Sequence, residues 1–134
     1  MELFDGFISA VASEFKIKFD KDNDNSYSTK VDFQNGRSQK VLITLRKDES
    51  GDRIISYYSI IAKLKRDLAE LFKYSLQMNS TLDYGAIALL NDTLILRNSI
   101  LLQDLDPIRF MKTLTYIAAK ADELEETMAK DDKY

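Results

Sequence analysis

The hydrophobic pattern is strongest between Leu76 and Asp106, where it predicts a β-hairpin that is apolar on both faces. A hairpin with one solvated side alternates apolar with polar residues. Here two strands flank an Asn91-Asp92 turn, and both faces of each strand are apolar: Ala86, Ala88 and Leu90 against Ile87 and Leu89, then Leu94 and Leu96 against Ile95. Both faces of this hairpin must therefore pack against another part of the protein or against a second subunit.

Three other segments repeat apolar residues every three or four positions, which predicts amphipathic helices. The first covers residues 3–15, the second starts near Lys63 and stops at the polar residues 78–81, and the third opens at Asp106-Pro107. At that start, Asp accepts hydrogen bonds from backbone N–H groups and Pro fits the first turn. The stripes are Leu3, Phe4, Phe7, Ile8, Val11 and Phe15; Leu64, Leu68, Leu71, Phe72 and Leu76; and Phe110, Leu114, Ile117, Ala118, Ala121 and Leu124.

The stretch between the first two helices predicts a three-stranded meander. Residues 27–33 alternate as a half-buried strand does, and residues 41–45 form the return strand. Asn35-Gly36 between them predicts a type I′ turn, which needs positive φ at both central residues. The third strand, 54–61, is apolar on both faces, so we expect it inside the sheet, with Tyr57 and Tyr58 on opposite sides.

The acidic segment Asp20–Asn25 precedes the meander, and we expect a solvated loop there. Its three alternating aspartates are similar to the start of a calcium loop. The glycine required at the sixth position and the glutamate at the twelfth are missing, because Asn25 and Val31 stand there. We therefore predict no metal site. The resulting order, α-β-β-β-α-β-β-α, indicates one α+β domain over residues 1–134.

Composition removes several kinds of chemistry. The chain has no Cys and no His, so the commonest zinc ligands and the commonest general base are missing. Its four glycines are far apart and form no phosphate loop, which leaves a Ser–Lys pair as the remaining catalytic option. A net charge of −3 disfavours nucleic acid. No apolar run reaches the roughly 18 residues of a membrane span, and the N-terminus is acidic. We expect a cytoplasmic protein without cofactor or catalytic residues.

The C-terminal half resembles the YbjN-like family and the wider type III secretion chaperone-like fold. The resemblance lies in Leu76–Asn79, Tyr84–Leu89, Leu94–Arg97, Asp104–Pro107 and the helix end at Ala118–Leu124. It implies helices packed on a twisted five-stranded antiparallel sheet, and a homodimer. Secretion chaperones of this fold hold an extended client segment against apolar patches and strand edges without ATP. The YbjN-like branch, often described as regulatory, looks closer to this sequence, and the family supplies no catalytic residues.

This resemblance suggests what packs against the two apolar faces of the hairpin. Helices on both sides would suffice, but a twin subunit on one side fits the homodimer. The predicted dimer interface is Leu68, Phe72, Tyr74, Met78, Ile87, Leu89, Leu94 and Leu96. For a protein partner we predict pairing at the edge of the meander's first strand and a groove along the first helix, formed by Phe4, Phe7, Val11, Tyr27, Thr29, Val31 and Phe33.

Three functions remain open from the sequence. The first is a non-catalytic, homodimeric protein-binding module of regulatory or chaperone type. The second is a dedicated secretion chaperone for one secreted effector. The third is a regulator or enzyme that binds a small molecule in a pocket between sheet and helices, for which a deep cavity with convergent polar groups would be the sign.

Overall fold

Three α-helices and six strands make up the described part of the chain, residues 2–65 and 68–129 of a computed structural model. They are α1 (Glu2–Phe15), β1 (Asp20–Asn23), β2 (Ser26–Asp32), β3 (Ser38–Lys47), β4 (Arg53–Lys63), α2 (Ala69–Asn79), β5 (Ala86–Leu90), β6 (Thr93–Leu101) and α3 (Pro107–Ala129). A short 3-10 turn at Leu102–Asp104 leads into α3. The α+β class is confirmed.

The strands form one antiparallel sheet in the order β1-β2-β3-β4-β6-β5. The sheet has six strands rather than five, because the segment predicted as a solvated loop contains β1. Asp20 pairs with Ser28 and Lys21 with Tyr27. All four β1 residues are exposed, so this strand is held by backbone pairing at an edge and has no apolar alternation in its sequence.

The two predicted hairpin turns differ in outcome. Asn91-Asp92 joins β5 to β6 as a two-residue turn, with Asn91 at φ 56°. The type I′ prediction at Asn35-Gly36 is wrong, because only Gly36 has positive φ, at 84°. Phe33 N donates to the Arg37 carbonyl at 2.9 Å, and Gly36 N donates to the Phe33 carbonyl at 3.1 Å. These bonds close a longer loop over residues 33–37.

All three helices contribute to one core on the same side of the sheet, here called the inner face. Its strand members share a face by register, since Tyr27 pairs with Ile43 and Ile43 with Tyr57. Each fully buried aliphatic or aromatic side chain contributes about 1.5–3 kcal/mol. The principal members are Phe4, Ile8 and Val11 of α1, Leu71 of α2, Phe110, Leu114 and Ile117 of α3, and Tyr27, Val41, Ile43, Ile55, Tyr57, Ile61, Ile87, Leu94 and Leu96 of the sheet.

The adjacent tyrosines of β4 confirm the predicted alternation. Tyr57 lies on the inner face and is fully buried, while Tyr58 points to the opposite side and is half-buried. The Tyr57 hydroxyl bonds with Thr113 Oγ1 and accepts from Asn98 Nδ2 at 2.8 Å. Burial raises the pKa of Tyr57 despite these bonds. The phenol is therefore a neutral anchor between β4, β6 and α3.

The helix boundaries depart from the sequence prediction at α2 and agree with it at α3. Helix α2 begins at Ala69, because β4 continues to Lys63 and Leu64 N donates to the Asp92 carbonyl at 2.7 Å. At α3, Asp106 Oδ1 accepts from Arg109 N at 2.8 Å, as expected of a capping residue. Within residues 2–65 and 68–129, no helix has the length and apolarity to cross a bilayer.

Candidate protein-binding face

The face of the sheet opposite the helices, here called the outer face, lies open to solvent over the described residues. Strand alternation places on it Lys40, Leu42, Thr44 and Arg46 of β3; Ile54, Ser56, Tyr58 and Ile60 of β4; Ile95, Arg97, Ser99 and Leu101 of β6; and Ala86, Ala88 and Leu90 of β5. None of these residues belongs to the core beneath the helices. The predicted double-faced hairpin therefore has helices on one side only.

Four of these residues form an apolar corner, defined as Ile60, Ala88, Leu90 and Ile95. The register places Ile60 opposite Ile95 and Ile95 opposite Ala88, so these three form one row. Ile95 is buried by its neighbours, whereas Ile60 is 45 % and Leu90 47 % exposed. Other aliphatic side chains, such as Leu76 and Ile108, are more exposed, but here two lie against a row of apolar neighbours, and contiguous apolar patches are typical of interaction sites.

A second group, the arginine–serine cluster, is defined as Arg46, Ser56, Ser99 and Arg97. Arg46 Nε donates to Ser56 Oγ at 2.9 Å, and Arg97 Nη2 donates to Ser99 Oγ at 2.7 Å. The two serine hydroxyls are paired directly across β4 and β6, 2.8 Å apart. Three hydrogen bonds thus tie two guanidinium groups to the middle of the outer face.

Charge is distributed unevenly between the outer face and the remainder of the chain. Strands β3, β4, β5 and β6 contain six Lys or Arg residues and no Asp or Glu. All 22 acidic residues of this net-acidic chain lie elsewhere in the sequence. Within these four strands an approaching anion therefore meets cations without carboxylates, whereas the neighbouring β1, β2 and β3–β4 turn carry Asp20, Asp22, Asp32, Asp48 and Asp52.

One sheet edge is closed by a side chain. Asn79, the last residue of α2, accepts a hydrogen bond from Ile87 N at 2.6 Å and donates to the Ile87 carbonyl at 3.3 Å. Its amide thus occupies the place that a neighbouring strand would take along β5. Asn79, one of the polar residues at which the second helix was predicted to stop, thus binds the edge of β5.

Some residues predicted for the dimer interface lie inside the core, and others lie at its margin or on the surface. Ile87, Leu94 and Leu96 are buried in the protein's own core, out of reach of a second copy. Leu68, Phe72 and Met78 are half-buried against that core, while Tyr74 is 37 % and Leu89 49 % exposed. Alternation identified two apolar faces correctly but gave no sign of which one the helices cover. The uncovered face carries Ala88, Leu90 and Ile95 instead.

The residues predicted for partner binding are also mostly internal. Phe4, Val11, Tyr27 and Thr29 are buried, while Phe7, Val31 and Phe33 are half-buried against the core. Thr29 Oγ1 donates to the Lys18 carbonyl at 2.7 Å. Strand β1 pairs with β2 over residues 26–28, so the sheet edge on this side is β1 rather than the start of β2.

A surface groove beside α3 is a candidate small-molecule site among the described residues. It has a volume of about 630 Å³ and is lined by Val31, Asp32, Phe33, Asp83, Tyr84, Lys112, Thr115, Tyr116 and Ala119. Two of its polar groups bind each other, since Asp83 N donates to Tyr116 Oη at 2.9 Å. Within residues 2–65 and 68–129, no three His, Cys, Asp or Glu side chains are grouped to hold a metal ion.

The arginine–serine cluster was missed by the sequence reasoning. Its signal was present in the pattern: Ser56, Arg97 and Ser99 interrupt otherwise apolar strands at positions that share one face. The register that places Ser56 opposite Ser99 depends on pairing between residues 43 positions apart.

No family model matches the chain, and a search of curated proteins finds no match to it.

Proposed function

We propose that the protein is a non-catalytic, homodimeric protein-binding module of the YbjN-like or secretion-chaperone-like kind. The observation that supports this most is the outer face, where Ile60, in the row that contains Ile95, is 45 % exposed and Leu90, next to that row, is 47 % exposed. Burying apolar area is the main driving force of protein association. A surface of this kind on one side of a sheet whose other side is covered by helices suits a binding role.

The apolar corner is the contact that we propose for a second copy. It lies at the end of the β5–β6 hairpin, beside the Asn91-Asp92 turn, where a twofold-related hairpin can approach without meeting helices. In such a contact the same patch faces itself, so Leu90 and Ile60 of each chain would meet their counterparts or close neighbours. A client protein would then use the remainder of the outer face.

Light scattering across a dilution series tests this proposal. We expect a species at twice the 15.4 kDa chain mass, shifted towards monomer in Leu90→Glu and Ile60→Glu because each places a charge in the contact. Leu76→Glu is the matched control, since Leu76 is 71 % exposed on α2, away from the outer face. A wild-type monomer at every concentration, or equal dissociation of the control, would overturn the homodimer.

A dedicated secretion chaperone and a regulator would bind different proteins, and the apolar corner does not distinguish these two functions. The third possibility, a small-molecule regulator or enzyme, gains nothing from the open 630 Å³ groove beside α3, whose polar groups include a pair already bonded to each other. Protein binding through the outer face is therefore the function that we propose.

A further inference from the structure

We propose that the arginine–serine cluster binds a carboxylate of an acidic, partly apolar segment of the client protein. This inference rests on the proposed protein-binding function and names the chemistry of the partner. It depends on three features of the outer face: an excess of hydrogen-bond donors in the cluster, two arginines outside the ion pairs of the described residues, and apolar side chains on either side.

The donors of the cluster exceed its acceptors. Each serine oxygen accepts from one arginine, and the single bond between the serines uses one of their two hydroxyl protons. The other hydroxyl proton has no acceptor among the hydrogen bonds of the described residues. Each guanidinium carries five N–H groups, of which this cluster uses one. The remaining N–H and O–H donors of the cluster can therefore bind an anion.

The positive charges of the cluster are not neutralised within the described chain. The ion pairs of residues 2–65 and 68–129 involve Arg37 and Arg109 but neither Arg46 nor Arg97. Strands β3–β6 contain no carboxylate, and Asp48, two residues after Arg46, accepts from the backbone N–H groups of Ser50 and Asp52. Arginine is well suited to this role, because its planar fork binds a carboxylate with two parallel hydrogen bonds.

Apolar residues border the cluster on both sides along the strands. The register places Leu42 and Tyr58 in the row that contains Arg97, and Ile54 and Leu101 in the row that contains Arg46. A segment lying over this surface would bring apolar side chains onto these residues and exclude water from the cluster. Lower local dielectric strengthens the charge-assisted bonds to the acid.

The same charges argue against the outer face of a second copy as the occupant of the cluster. A twofold contact centred there would set guanidinium groups against guanidinium groups, a like-charge contact that costs several kcal/mol. Nucleic acid is disfavoured by the acidic remainder of a chain with net charge −3. An acidic peptide segment would be repelled by the surrounding surface and attracted only at this face.

The test is selection of a phage-displayed random peptide library on the immobilised full chain, followed by affinity measurements on the selected peptides. We expect Asp or Glu flanked by apolar residues in the selected sequences. Their affinity should fall at least about tenfold in Arg46→Gln/Arg97→Gln, the effect of losing a charge-assisted hydrogen bond, and should weaken as salt is raised. Lys112→Gln/Lys120→Gln on α3 is the control with the same change in net charge and should bind normally.

A further variant separates charge from folding. Arg46→Lys/Arg97→Lys keeps both cations but loses the bidentate fork, so an affinity between those of the wild type and the glutamine variant is expected. Selected peptides without acidic enrichment, or with equal affinity for the glutamine variant, would overturn the carboxylate site while leaving protein binding intact. Failure to select any peptide would overturn the site as well, and the dilution series would then decide the homodimer separately. Tighter binding of a single-stranded oligonucleotide, lost in the glutamine variant, would assign the cluster to phosphate instead.

Discussion

Arg37 and Asp122, 85 residues apart in sequence, form a charged hydrogen-bonded pair that fastens the β2–β3 loop to α3. Arg37 Nε lies 3.0 Å and 3.1 Å from the two carboxylate oxygens, and Nη2 lies 2.9 Å from Oδ1. Asp122 is 7 % exposed, and hydrogen bonding to it raises the pKa of Arg37. The pair therefore holds the loop at residues 33–37 over the C-terminal part of the helix.

Replacing Asp122 with Asn should destabilise the fold by about 1–2 kcal/mol, because the negative charge is lost and an NH2 donor replaces one of the two oxygens that accept from Arg37. Urea unfolding of Asp122→Asn measures this. Glu123→Gln is the control on the next residue of α3, since its pair with Lys120 at 3.4 Å is exposed and contributes about 0.3 kcal/mol. Equal effects of the two substitutions would show that the Arg37 contact does not stabilise the loop.

Gly85 lies where no side chain fits, so its replacement should be among the more damaging changes to the sheet. Its φ is 74°, and a Cβ there would lie 2.5 Å from the Arg97 carbonyl oxygen and 2.7 Å from Ile117 Cδ1. We expect Gly85→Ala to lose about 2–4 kcal/mol from strain and crowding together. Gly6→Ala in α1, where nothing lies within 4 Å, should instead gain about 0.5–1 kcal/mol. The two unfolding midpoints should move in opposite directions.

The bond between Tyr27 and Asp5 predicts how stability changes at high pH. Tyr27 Oη donates to Asp5 Oδ1 at 2.5 Å, and burial together with this bond raises the pKa of Tyr27 from 10.0 to about 12. The folded state thus favours the protonated phenol. Its contribution is complete below pH 10 and is lost as the pH rises towards 12. Tyr27→Phe should reduce this alkaline loss of stability without removing it, because burial also raises the pKa of Tyr57. An unchanged alkaline profile in urea unfolding would refute the assignment.

The same pair acts in the opposite sense in acid. The hydrogen bond from Tyr27, followed by the contact with Lys21, lowers the pKa of Asp5 below its usual 3.8. The carboxylate therefore contributes stability above pH 3.8 that is lost as the pH falls through the lowered value. Asp5→Asn should flatten this acid limb, and a chemical-shift titration of the Asp5 carboxylate should report the lowered midpoint directly.

Asn79 predicts a specific change in hydrogen exchange. With its side chain removed in Asn79→Ala, the Ile87 N–H loses its partner and should exchange faster, and stability should fall by about 1–2 kcal/mol. Asn79→Asp keeps an acceptor for Ile87 N–H but places a carboxylate against the Ile87 carbonyl, so it should protect the amide without restoring full stability. Gln77→Ala, an exposed change on the same helix, should lie within about 0.5 kcal/mol of wild type.

The sequence pattern predicted structure correctly where buried residues recur with the period of a strand or a helix. Tyr57 and Tyr58 separate onto opposite faces because alternation is intrinsic to a strand, and Asp106 caps α3 because its signal lies within four residues. Strand β1 could not be predicted this way, since it buries no side chain and is identified only by its pairing with β2.

Contacts between distant residues were the other limit. The register that joins Ser56 to Ser99, and the contact between Arg37 and Asp122, depend on how whole elements pack rather than on neighbours in sequence. For the same reason the hairpin pattern gave both apolar faces but not the one that stays open. A helix over the opposite face would have left the same sequence pattern.

The amide of Asn79 also bears on how this protein could aggregate. Growth of a cross-β fibril from native sheets requires every subunit to offer two open edges, one to accept the preceding chain and one to receive the next. At one end Asn79 already bonds the Ile87 backbone, and at the other β1 is four residues long with three charged side chains. Both edges are therefore poor templates for an added strand, which lowers the tendency of the exposed leucine and isoleucine of the outer face to lead to fibres.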